Sequence, residues 1–145
     1  MSKQRPPSVL VPVPGPVDKE KLAVVLDKLY FLGRPRLTLF HVVEVSSRTS
    51  PLNSEFFRDA INRAERGLKP LKTWLEKLGY KVSIKVVLAR DVAEGIVDEV
   101  GLGGYDAVVM MRGLKRRFLR GLFHRSVSER VVRASGCPVI VVRVD

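Results

Sequence analysis

The 145-residue sequence holds one cysteine and two histidines, so it can close no internal disulfide and offers little for a His/Cys metal site. No apolar run approaches the ~18 residues that a membrane helix needs. The opening Met-Ser-Lys-Gln-Arg-Pro-Pro lacks the apolar core of a signal peptide. A cytoplasmic protein without a membrane span is the expectation. Internal repeats and linkers are missing, as are paired-carboxylate, triad and metal-ligand spacings. Nothing therefore supports an enzyme, and neither catalytic residues nor a metal is expected. Amides are scarce, with one glutamine and two asparagines beside plentiful Glu, Lys and Arg, a balance that suits a thermophile.

What is present is 46% hydrophobic and 28% charged, ordinary for a globular chain. At roughly 100–200 residues per domain, residues 1–145 read as one domain. Twenty-six Lys+Arg against fifteen Asp+Glu give a net charge of +11, which favours polyanions without specifying a fold.

Residues 8–13 form an apolar run that ends at Pro14-Gly15-Pro16, a buried strand followed by a turn. Asp18 caps a helix with Leu22, Val25, Leu26 and Leu29 on one face, stopped at Gly33. A second strand spans 36–45. Helical spacing runs through 53–78, with Pro70 expected to kink the helix. In 81–88, apolar residues alternate with Lys81, Ser83 and Lys85, which implies a strand with one solvated face. Asp91 and Glu94 make a capping box for a short helix ended by Gly101, Gly103 and Gly104. A strand at 105–111, a basic segment at 112–125, a second capping box at Ser126 and Glu129, a helix and a final strand from Cys137 complete the chain.

Strands alternating with helices predict an α/β fold with a parallel sheet, right-handed crossovers and helices on both faces. Ligands then bind beyond the carboxyl ends of the strands, where the strand order reverses. That places the chemistry at Pro14, at His41 to Glu44 and at Arg112 to Ser126. We expect the first and fourth helices on one face and the second and third on the other.

Three pieces in order resemble the universal stress protein family. They are Val9-Leu-Val-Pro-Val-Pro-Gly, Leu39-Phe-His-Val-Val-Glu, and Ser126-Val-Ser-Glu-Arg-Val-Val-Arg followed by Cys137-Pro-Val-Ile-Val-Val. Arg90-Asp-Val-Ala-Glu-Gly-Ile is similar to a fourth family segment. The resemblance implies a five-stranded parallel sheet in the order 3-2-1-4-5, Rossmann-like and of the adenine-nucleotide alpha hydrolase type. It also implies a homodimer through the last strand. The residues agree with that order, because the third strand alternates like an edge while the first and fourth are continuously apolar.

In ATP-binding members an Asp follows the first strand, and a G-x-x-G-x9-G-[S/T] loop follows the fourth. Here Pro14 stands at the Asp position, and Arg112, Lys115 and Arg125 stand at the glycine positions, leaving only Ser126. The resemblance thus implies a degenerate nucleotide pocket made of Val13, Pro14, His41, Val42, Arg112, Lys115, Arg125, Ser126 and Val127. No cofactor is expected, with ATP, or another phosphorylated ligand held by Arg and Lys side chains, as the alternative.

Residues 112–133 carry eight cations against Glu129 alone. Lys115, Arg116, Arg117 and Arg120, interleaved with Leu114, Phe118, Leu122 and Phe123, are candidate contacts for nucleic acid or another polyanion. The simpler reading is a surface segment anchored by its apolar residues. Ser126 reads as an N-cap, His41 as a packed strand residue, His124 as a surface residue, and Cys137 as a small buried hydrophobe. Val139, Ile140, Val141 and Val142 form an unprotected apolar edge, which a second copy of the chain would cover.

Overall fold

The computed structural model describes residues 5–15, 17–45, 54–112 and 123–144. The elements are β1 (Ser8–Pro12), α1 (Lys19–Lys28), β2 (Arg36–Glu44), α2 (Ser54–Lys77), β3 (Lys81–Ala89), α3 (Val92–Gly103), β4 (Ala107–Arg112), α4 (Arg125–Ala134) and β5 (Val139–Arg143). The strands form one sheet in the order β3-β2-β1-β4-β5, with every neighbouring pair parallel. β1 and β4 are buried almost throughout, as apolar central strands must be. β3 exposes Lys81, Ser83 and Lys85 and buries Val82, as its alternation predicts for an edge.

The predicted helix pairing is corrected. Leu22, Val25 and Leu26 of α1 share one core with Leu68, Leu71 and Leu75 of α2. Ala93, Ile96 and Val100 of α3 share the other with Val131 of α4. The crossover rule explains this. The connections β1→β2 and β2→β3 step outward in one direction, whereas β3→β4 and β4→β5 step the opposite way. A constant right hand then puts α1 and α2 on one face, and α3 and α4 on the other.

Local signals set the ends of several elements. Asp18 accepts the Glu20 amide at 2.9 Å, and Asp91 accepts the Glu94 amide at 2.8 Å. α1 ends at Lys28, and a 3-10 turn at Tyr30–Leu32 leads to Gly33 at φ 67°. α2 continues through Pro70, at a position where the carbonyl left without its N–H partner belongs to exposed Arg66.

Glu99 of α3 is only 4% exposed. It accepts Lys85 Nζ at 2.8 Å and the Tyr105 hydroxyl at 2.7 Å, fastening α3 to the edge strand. Burial, together with the bond to Glu99, pushes the Tyr105 phenol up to about 12.

Candidate functional site

β1 lies between β2 and β4, where the strand order reverses, so the crevice opens beyond its carboxyl end. Val13 is buried and donates its amide to Phe40 O at 2.8 Å, while Pro14 is half-buried. Side chains alternate along β2. Leu39 lies in the α1/α2 core, and Phe40 and Val42 lie in the α3/α4 core. His41 therefore points to the α1/α2 side, where its Nδ1 meets Val13 O at 2.8 Å. A carbonyl only accepts, so Nδ1 carries the proton and Nε2 is the acceptor of the neutral ring.

Beside His41 is a cavity of about 140 Å³, lined also by Gly15, Arg63, Ala64, Gly67 and Leu68. It shares His41, Arg63 and Ala64 with an open groove of about 450 Å³ that reaches Pro14, Val42, Glu44 and Val92. The space has a local cause. Ala60, Ala64 and Gly67 recur at i, i+4 and i+7 of α2, so between the Arg63 and Leu68 side chains the helix presents only small residues there. A Cβ on Gly67 would meet nothing within 4 Å. Glu44 Oε1 accepts the Val92 amide at 3.2 Å, tying the end of β2 to the start of α3. Asp91 holds Arg130 at 3.2 Å, tying α3 to α4. The Glu94 amide, partly opposed by burial and assisted by Arg130, keeps the Asp91 carboxyl below the usual range.

On the other side of Pro14 the crevice is nearly filled. Phe123, 4% exposed, donates its amide to Met111 O at 2.9 Å and packs into the α3/α4 core. The space left among Pro14, Val42, Val92 and Phe123 is about 10 Å³, at the lower limit for one water. Arg112 ends β4 half-buried, and its Nε has no hydrogen-bond partner among the described residues.

The predicted capping box at Ser126 is corrected. α4 begins two residues earlier, at Arg125, with His124 as its N-cap and no side-chain cap bond. The bond from Phe123 to Met111 fixes the entry of the chain, and both Val127 and Ser128 donate amides to His124 O. Ser126 sits exposed within the first turn. Glu129 is drawn instead to Arg125 Nε at 2.6 Å, a charge-assisted bond that lowers its pKa.

Of the residues singled out from the sequence, Val13, Pro14, His41 and Val42 meet at the crevice, and the groove runs along Pro14, His41 and Val42. Arg112, Arg125, Ser126 and Val127 lie on the β4–α4 side, where Val127 is half-buried against the α3/α4 core. Lys115, Arg116, Arg117 and Arg120 lie outside the described residues. Cys137 is only half-buried, with Ser135 Oγ 3.7 Å from its sulfur. His124 is exposed, as expected. Arg63, Ala64 and Gly67 were not anticipated, although their small-residue spacing with Ala60 is visible in the sequence. Among the described residues no cluster of His, Cys, Asp or Glu suits a metal ion, and no helix is long and apolar enough to cross a membrane.

Comparison with known families gives a match to the model of the universal stress protein family over residues 8–143. The chain belongs to this family. Among solved structures of the family, the Burkholderia pseudomallei protein is 21% identical, with 97% of this chain and 98% of that chain covered and a TM-score of 0.65. An Arabidopsis thaliana family protein with AMP bound is 22% identical, with 96% and 93% covered and a TM-score of 0.63. The Archaeoglobus fulgidus protein in complex with dAMP is 18% identical, with 92% and 95% covered and a TM-score of 0.55. At these identities the likeness is one of fold. No curated protein matches the sequence.

Proposed function

We propose that this universal stress protein is a non-catalytic module whose nucleotide site has degenerated, so that it does not hold ATP. The observation that carries this reading is the state of the β4–α4 side. Arg125, at a position where the family resemblance asks for a loop glycine, is the first helical residue and is bonded to Glu129. Phe123 leaves almost no space under Pro14, and Pro14 supplies no carboxylate for a base. A phosphate loop works because glycine backbones approach the oxygens without a Cβ.

The family relatives with AMP and dAMP support a second reading, in which the chain still binds a phosphorylated ligand, here from the α2 side. The open groove there, with Arg63 and His41 on its wall, favours it. Calorimetry separates the two. The degenerate site predicts no saturable ATP binding at near-physiological salt, and at most weak, base-indifferent binding at low salt. Micromolar affinity for ATP with discrimination against GTP overturns the first reading in favour of the second.

We also propose that the chain pairs with a second copy along β5. Val141 is 36% exposed on this edge and Val132 of neighbouring α4 is 51% exposed, an apolar surface without edge defences until Arg143 at the end of β5. Light scattering is expected to show a dimer that Val141→Asp converts toward monomer. A monomeric parent chain at tens of micromolar, roughly the range of weak dimers, refutes the pairing.

A further inference from the structure

At the end of the sheet remote from the crevice, the amino ends of β1, β2 and β3 form a groove of about 480 Å³. The register places Ser8 beside Arg36 and Arg36 beside Lys81. The next rung on the same face sets Thr38 beside Ser83, and two residues further along β3 comes Lys85. This is the α3/α4 face of the sheet, since Leu10 and Phe40 in the same alternation belong to that core. α3 reaches the Lys85 rung through Glu99, and Tyr105, just beyond α3, bonds Thr38 on the next rung. The rungs nearer the strand starts leave Arg36, Lys81 and Ser83 exposed.

Two like charges abreast on neighbouring strands repel, and sheets ordinarily separate them or place a carboxylate between them. Here, among the described residues, neither Arg36 nor Lys81 has an ion pair, although Glu76 lines the same groove and Asp106 stands near Ser8, whose amide it accepts at 2.7 Å. Strand spacing holds the two cations about 4.8 Å apart at the backbone, close enough for both heads to reach one tetrahedral anion. A guanidinium supplies paired donors, an ammonium supplies a compact charge, and the Ser83 hydroxyl supplies a neutral donor. The patch offers no exposed aromatic on which a base would stack: Tyr80, which lines the groove, is 8% exposed and lies beneath the Arg34 guanidinium. The chemistry therefore suits a phosphoryl group rather than a nucleobase.

We infer that the amino ends of β2 and β3 form an anion site in which Arg36 and Lys81 together hold a phosphoryl or pyrophosphoryl group. The site is separate from the crevice, so it stands or falls independently of the ATP reading.

The test uses the whole chain with inorganic pyrophosphate, followed by thermal unfolding and by amide NMR shifts. Pyrophosphate is expected to bind at one saturable site, to raise Tm, and to shift the amides of Arg36, Lys81 and Ser83. Arg36→Gln and Lys81→Gln should each raise the Tm of the ligand-free chain, by relieving the repulsion, yet weaken pyrophosphate several-fold. The double variant should lose at least tenfold, and Lys69→Gln, an exposed α2 position that lines neither groove, should change nothing. A phosphorylated sugar and a short oligonucleotide identify the source of the phosphate: tighter binding of the sugar supports a small ligand. The inference is overturned if only the oligonucleotide binds, if the shifts centre on Val13 and Arg112, or if the double variant binds within twofold of the parent.

Discussion

Glu99→Ala is expected to lower stability by about 2–3 kcal/mol, the scale of hydrogen bonds to a charged group. The carboxylate is buried and takes two donors, but they do not count equally. Lys85 is half exposed, so its ammonium returns to water when Glu99 is removed, and the ion pair itself contributes little. Most of the cost falls on the Tyr105 hydroxyl and on the space left between α3 and the sheet.

The same contact gives a pH signature. The unfolded phenol ionises near its ordinary value of 10.0, whereas the folded one waits until about 12. Between those values the unfolded chain gives up a proton that the folded chain keeps, so stability falls as pH rises. For this partly buried group the loss is on the order of 1–2 kcal/mol. Burial is the larger cause of the shift, so Glu99→Gln should shrink the alkaline loss without abolishing it. Urea unfolding of the three chains at pH 8, 10 and 12 checks both parts. A loss below about 1 kcal/mol for Glu99→Ala at pH 8, less than one ordinary charged hydrogen bond, would show that the contact does not hold α3 in place.

Gly95→Ala is expected to cost about 1–3 kcal/mol, although alanine is favoured over glycine within a helix by about 1 kcal/mol. A Cβ at this point of α3 would lie 2.7 Å from Val42 Cγ2 and 3.2 Å from Ala89 Cβ. A valine methyl on a strand has little freedom to retreat, so α3 must lift or β2 must bend. Val42 also lines the crevice groove, and the amide signals of Val13 and His41 should shift along with the loss of stability. Gly101→Ala in the same helix is the control. That site is open, and the substitution should be neutral or mildly stabilising. If Gly95→Ala behaves like Gly101→Ala, the close approach of α3 to β2 is not required.

Much of the architecture was legible in the sequence because it rests on local chemistry. The solvated alternation of Lys81, Ser83 and Lys85 marked an edge strand, the unbroken apolar runs of β1 and β4 marked the centre, and Asp18 and Asp91 marked helix starts. The failures arose where distant partners decide. The faces taken by the helices depend on the direction of each crossover, which follows from the strand order and not from any helix alone. Ser126 and Glu129 have the spacing of a capping box, but Arg125 competes for the carboxylate and the Phe123 amide sets where the helix begins. His41, Val42 and Pro14 were placed at the site by the switch-point rule. Arg63 was not, since nothing local says which face of a long helix will lie over the end of β2. The pairing of Arg36 with Lys81 is likewise a matter of register, set by a long crossover through α2.

The central place of β1 has a consequence for how the chain is made. Of these five strands, the first to leave the ribosome becomes the middle of the sheet, and only its β2 side gains a neighbour early. Its other side waits for β4, and the bond between Ser8 and Asp106 closes a separation of 98 residues. At roughly 5–20 residues per second, synthesis leaves that apolar edge of Val9 and Leu10 uncovered for about 5–20 s. During this interval a three-stranded half-sheet exposes both unpaired backbone groups and the hydrophobic face awaiting α3. Until β4 arrives, that open edge makes the nascent half-sheet the most aggregation-exposed form of this fold.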